Sequence, residues 1–133
     1  MIVLDTHALV WWASEPTRIP AKARKRIESA IESGERLGVS SISLWEVARL
    51  IERGRLSLTI DASAWLAHVQ ALRDLAFHPV DNTIAIVAAR SADYPGRDPA
   101  DRMIVATART LDAALVTADR EMHAYRPLTA IWD

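Results

Sequence analysis

Four carboxylates sit at positions that call for more than solvation. Asp5 interrupts an apolar run: it follows Ile2, Val3 and Leu4, and apolar character resumes at Ala8. A carboxylate left alone in such surroundings is costly, so Asp5 requires a turn, a partner or a metal. Glu46 ends the string Ser43-Leu44-Trp45-Glu46, Asp101 ends Asp98-Pro99-Ala100-Asp101, and Asp119 ends Thr117-Ala118-Asp119. Each acid also has an ordinary structural use. Asp5 suits a turn. Glu46 completes the S-x-x-E pattern of a capping box, with Arg49 and Arg53 on its face as pairing partners. Asp101 favours a helix dipole from the third helical position, and Asp119 can cap a helix. Asp101, however, heads the stripe Ile104, Val105, Ala108, the side of its helix that packs rather than the side that faces water.

The elements that carry these acids can be read from pattern. Residues 2–4 read as a strand too apolar for a sheet edge, and Thr6 as the cap of a helix over 7–13 that ends before Pro16. Pro20 opens a helix through 33 with Ala23, Ile27, Ala30 and Ile31 on one face and Gly34 as its stop. A second strand covers 37–40, and Ser43 starts a helix through 53, closed by Gly54. Asp61 caps a helix over 62–75, a third strand covers 77–80, and Asp81 caps a helix through 91. After the loop 93–98, DYPGRD, Asp98 and Pro99 open a helix to 111, with Asp98 read as a cap rather than a ligand. A strand over 114–117, a short helix from Asp119 and a strand over 129–132 complete the chain.

Short strands, apolar on both faces, alternate with helices. This predicts an α/β fold: a central parallel sheet of about five strands covered by helices on both faces. No repeat or long linker divides residues 1–133, so one domain is expected. In such folds sites form outside the carboxyl ends of the strands. Asp5 and Asp119 follow strand ends, and Glu46 and Asp101 begin helices that pack on the same sheet. Anions gathered there repel by about 4 kcal/mol per pair at 4 Å and an effective dielectric of 20. A divalent cation resolves that conflict. The chain has no cysteine, so the ligands are hard oxygens, which suit Mg²⁺, with Mn²⁺ as a substitute.

Composition narrows the setting. The missing cysteines exclude disulfides and thiolate nucleophiles and fit a reducing cytoplasm. No apolar run approaches a membrane span, and the N-terminus has no basic segment of a secretory signal. The net charge of −1 announces no polyanion partner, yet of the 16 basic residues only Lys22 and Lys25 are lysine, and a local arginine patch is possible.

Four segments, VLDTHALVWW, SSISLWEVARLIERGRL, DPADRMIVATA and LVTAD, occur in this order and span nearly the whole chain. Together they resemble the PIN-domain ribonucleases, specifically the VapC-type toxins of type II toxin–antitoxin pairs. The resemblance implies a PIN-like fold and a metal-dependent endoribonuclease that hydrolyses RNA phosphodiester bonds. Its acidic metal site would comprise Asp5, Glu46, Asp101 and Asp119, with the Thr117 hydroxyl in support. It further implies a cytoplasmic homodimer, a larger assembly with a cognate VapB-type antitoxin that covers the acidic cleft, and operator DNA contacted only through that antitoxin. Helices 43–53 and 62–75 are expected to build part of the antitoxin groove.

Arg49, Arg53, Arg97 and Arg102, with Arg55, lie near these segments as candidate phosphate contacts. Lys22, Arg24, Lys25 and Arg26 read as a solvated face. The five tryptophans are read as mostly core, with some at interfaces. His7 is expected to point away from Asp5. A phosphatase of the aspartate-nucleophile type would need an acid at position 7, and a phospho-acceptor receiver a late lysine; neither is present. The rival that survives is a non-catalytic module that binds RNA or an antitoxin through the same acids.

Overall fold

A computed structural model describes residues 1–133. Five strands form one wholly parallel sheet: β1 (Ile2–Leu4), β2 (Leu37–Ser40), β3 (Leu75–His78), β4 (Ala114–Val116) and β5 (Ala130–Ile131). Their order is β3-β2-β1-β4-β5. The apolar run Ile2-Val3-Leu4 is therefore central, with Leu4 beside Val39 on one side and Val116 on the other. The side chains of β1 alternate between two cores, as the period of two requires. Ile2 and Leu4 join Leu9, Ile27, Val39 and Trp65 on one face, and Val3 joins Ile104, Val105, Leu115 and Met122 on the other.

Seven helices cover the sheet: α1 (Thr6–Ser14), α2 (Ala21–Glu32), α3 (Ser41–Glu52), α4 (Ala62–Gln70), α5 (Asn82–Arg90), α6 (Pro99–Thr110) and α7 (Arg120–Ala124), with a single 3₁₀ turn at Pro16–Arg18. From β1 the chain builds outward to β2 and β3, then returns to place β4 on the opposite side of β1. That reversal makes the carboxyl end of β1 a topological switch point, where a crevice opens between diverging connections.

Several boundaries differ from the sequence pattern. Asp5, not Thr6, caps α1, its Oδ1 accepting from the Thr6 N–H at 2.8 Å. Ser40, not Ser43, caps α3, accepting from the Ile42 N–H at 3.2 Å. The predicted capping box is therefore not made, and Ser43 and Glu46 are both free to face the sheet edge. Pro20 occupies the cap position of α2 rather than its first turn, and Gly34 ends that helix with a positive φ of 82°. The α4 helix stops at Gln70, short of 75, because β3 begins at Leu75 rather than at 77.

Candidate metal centre

Asp5 follows β1 directly, at the carboxyl end of the sheet. Its backbone N–H donates to the Val116 carbonyl of β4 at 3.0 Å, which holds it at the strand end. The residue is 3% exposed. One carboxylate oxygen caps α1; the other accepts from the Thr117 hydroxyl at 2.6 Å. The same Thr117 oxygen accepts from the Asp119 N–H at 3.0 Å, so one buried hydroxyl orients both acids. Asp119 in turn caps α7 through Oδ1, which accepts from the Glu121 and Met122 N–H groups.

The helices on the other side of β1 bring a tighter group. Glu46 on α3, with Asp98 and Asp101 at the start of α6, offers carboxylate oxygens that all lie within 4.8 Å of one another. Glu46 is held by a very short hydrogen bond donated by the Thr6 hydroxyl, which also shares a bond of 3.0 Å with Ser43. Asp98 does cap α6, accepting from the Asp101 N–H at 3.1 Å through Oδ1. It also belongs to the acidic group. Cap and third helical residue project from the same turn, and sequence spacing cannot separate the two uses.

Electrostatics tie the two halves together. Burial, followed by the charges of Asp5, Asp98, Glu46 and Asp119, pushes Asp101 up to about 8. Burial also raises Glu46 above its ordinary value; the Thr6 bond opposes this, and Asp5 and Asp98 add to it. Of the four predicted acids the structure brings Glu46 and Asp101 together, joined by Asp98; Asp5 and Asp119 stand outside that group, after β1 and β4, and act on Asp101 through their charge. This donor set fits a hard divalent cation: the oxygens are anionic, close and mutually repulsive.

His7 does face Asp5, against expectation. Its Nε2 accepts from the Ala118 N–H at 3.1 Å and its Nδ1 lies 3.7 Å from the Asp5 carboxylate. The ring packs against Trp11 and Trp132, neither of which is fully buried. On the opposite flank a cleft of about 310 Å³ runs from Glu46 and Asp98 along Trp45, Arg49, Arg53 and Arg55. Trp45 is 51% exposed, and the Arg49 guanidinium lies 4.8 Å from its ring centre. Arg49 and Arg53 form no ion pair with Glu46, which Thr6 holds instead. Arg97 is exposed beside Asp98.

Arg102, expected as a phosphate contact, is committed elsewhere. Its guanidinium donates to the carbonyls of Ala88 (3.1 Å), Ser91 (2.7 Å), Tyr94 (3.2 Å) and Gly96 (2.8 Å). It fastens the loop before α6 to α5. Backbone carbonyls leave no mark in a sequence, so this role was invisible there.

The PIN domain family model matches residues 2–126. Ribonuclease VapC22 of Mycobacterium tuberculosis is 37% identical over 135 residues, covering 98% of each chain. Two solved structures share the fold. VapBC2 from Rickettsia felis, bound to a DNA fragment from its promoter, superposes with a TM-score of 0.72 at 18% identity over all of both chains. DNA-bound VapBC from Salmonella typhimurium does so with a TM-score of 0.68 at 23% identity, covering 98% of this chain and 96% of that one.

Proposed function

The chain belongs to the PIN-domain family, and on that premise we propose that it is the RNA-cleaving toxin of a VapBC-type toxin–antitoxin pair, acting as a single domain. The observation that carries this reading is the state of Asp101. Burial first, and then the charges of Asp5, Asp98, Glu46 and Asp119, push this carboxyl up to about 8, and the carboxylate oxygens of Glu46, Asp98 and Asp101 all lie within 4.8 Å of one another. A fold gains nothing from that repulsion unless something positive is to be held there.

Asp5, Glu46, Asp101 and Asp119, with Asp98 beside them, would hold Mg²⁺, or Mn²⁺ in its place. When bound, the cation supplies charge stabilisation for the scissile phosphate and lowers the pKa of the attacking water. The chain's own residues supply orientation. Thr117 fixes the Asp5 carboxylate and the start of α7, while Thr6 fixes Glu46. A carboxylate of the centre orients the attacking water and accepts its proton, and no protein nucleophile is required. Arg49, Arg53 and Arg97 meet the RNA phosphates beside the acids, where two of them line the cleft at Glu46.

The partners follow from the same reading: a second copy of the chain, and a VapB-type antitoxin that covers the acidic cleft with α3 and α4 in its groove. Operator DNA is contacted through the antitoxin, and the pair acts in the cytoplasm. No helix is long and apolar enough to cross a membrane.

The deciding experiment compares the purified wild type with Asp5→Asn on RNA, in Mg²⁺ and in EDTA. Asparagine still accepts from the Thr6 N–H, so the fold persists, which circular dichroism checks. Cleavage should require Mg²⁺ and fall at least about 100-fold in the variant. Equal cleavage by both proteins would remove the acids from the chemistry and leave a binding module.

A further inference from the structure

Helix α3 turns one aromatic ring outward that the fold does not use. Trp45 is 51% exposed and packs on none of the cores. The other tryptophans differ: Trp65 is buried, and Trp11, Trp12 and Trp132 are half-buried against the core. No other aromatic side chain of the protein is exposed. A single apolar side chain in water is ordinary; this one is set apart by what stands around it.

Trp45, Glu46 and Arg49 on α3 and Arg53 at its C-cap recur at helical spacing, and all four line the cleft of about 310 Å³. Arg55 joins them there. The Arg49 guanidinium, 4.8 Å from the ring centre, places a cation on the indole. None of the three arginines is paired with an acid. Two further lining residues, Glu46 and Asp98, belong to the group whose carboxylate oxygens lie within 4.8 Å of one another. One cleft therefore holds acids suited to a divalent cation, a large ring open to water and three uncommitted cations. Grooves that bind single strands of nucleic acid combine the last two: cations follow the phosphates, and bases stack on the aromatic ring. Bases inside a duplex are covered by their neighbours, so a ring of this kind requires an unpaired base.

We infer that Trp45 is a stacking platform for the substrate: an unpaired RNA base lies on its ring, in the cleft that Glu46 and Asp98 share with it, while Arg49 and Arg53 meet the phosphates of the same strand. The inference rests on the functional reading above and adds a requirement to it, that the strand is single where it crosses α3. A cation on the indole serves this arrangement, because it lies where ring and phosphate are both within reach of one strand.

Two uncleavable, 2′-O-methylated strands with the same number of phosphates test this: oligoadenylate and a strand without bases. Binding is followed by fluorescence anisotropy in Mg²⁺. Wild type should prefer oligoadenylate, and Trp45→Ala should bind it about ten-fold more weakly while binding the abasic strand as wild type does. Trp45→Phe, which keeps a ring, should recover most of the loss, and Trp45→Leu, which is apolar without one, little. The salt slope of Trp45→Ala should match wild type, since no phosphate contact is removed, and its Mn²⁺ affinity by calorimetry should be unchanged. Should Trp45→Ala fold poorly, tryptophan fluorescence decides: oligoadenylate must quench wild type more than it quenches Trp45→Phe. A wild type that does not tell the two strands apart, or a Trp45→Ala that tells them apart equally well, overturns the inference alone and leaves the exposed ring to a protein partner. A wild type that binds neither a divalent cation nor RNA overturns the functional reading and this inference with it.

Discussion

Removing the charge of Asp101 should stabilise the cation-free protein at alkaline pH. In the folded chain this carboxyl is pushed from its ordinary value of 3.8 up to about 8. Between those values the folded state binds more protons at this site than the unfolded state does. Stability therefore declines as pH rises through the window and is lowest above about pH 8. Each pH unit of displacement corresponds to about 1.4 kcal/mol, about 6 kcal/mol in full; Asp101 is partly open to solvent, and screening reduces this to about 2 kcal/mol. Asp101→Asn keeps the shape and the place in the first turn of α6 but cannot ionise. In EDTA at about pH 9 the variant should be more stable than wild type by about 2 kcal/mol, and at about pH 4 the two should coincide. Excess Mg²⁺ should reverse the ranking at high pH, since a cation that binds only the folded, ionised site stabilises wild type by mass action. Urea midpoints across this pH range, with and without Mg²⁺, measure all three expectations. The difference between the two proteins cancels every other titrating group they share. An Asp101→Asn protein less stable than wild type at about pH 9 in EDTA would refute the claim that gathered charge strains this site.

Arg102→Ala should lower stability by about 3 kcal/mol, because four carbonyls lose a charged donor; urea midpoints read this, and Arg102→Lys, lacking the planar fork, should recover little of it. Arg49→Ala should leave stability within about 0.5 kcal/mol of wild type yet reduce the salt slope of RNA binding by about 0.7, the signature of one lost phosphate contact on a single strand. Asp98→Ser should keep the cap of α6 and hold stability within about 1 kcal/mol while weakening Mn²⁺ binding roughly ten-fold in calorimetry; an unchanged affinity would return Asp98 to a purely structural role.

Much of the architecture was legible because it rests on local, strong signals. Ile2-Val3-Leu4 could only be a buried strand, and alternating apolar strands and helices dictated a parallel sheet with Asp5 and Asp119 at its carboxyl edge. Cap identity was less legible. Asp5 and Thr6 are both good caps, as are Ser40 and Ser43, and the choice falls to the residue that the sheet fixes in extended geometry. Because β2 passes into α3 without a connecting residue, the helix begins earlier than the pattern around Ser43 implied. The end of α4 was misread for a related reason: Leu72 continues the apolar stripe after the helix has stopped, since a side chain can pack on the core from a turn as well as from a helix. His7 and Arg102 were beyond reach, because their partners are backbone groups, which leave no mark in a sequence.

The ordinary and the chemical readings of these acids prove to be compatible, and the atoms show how. Asp5, Asp98 and Asp119 each cap a helix, and each does so through Oδ1. A backbone N–H takes one oxygen and leaves the other to project from the helix end, with Asp5 giving its second oxygen to Thr117. Capping therefore fixes the carboxylate in orientation without exhausting it. The positive ends of α1, α6 and α7 also attract the carboxylates placed on them, which offsets part of the mutual repulsion before any cation binds. Asp101 shows where that compensation runs out: it sits on the packed side of α6, donates its own N–H to Asp98 and meets the charge of every other acid in the centre. A sheet whose strand order reverses at β1 brings the N-termini of α1, α6 and α7 to its carboxyl side, and the caps those helices need are among the acids we propose as ligands.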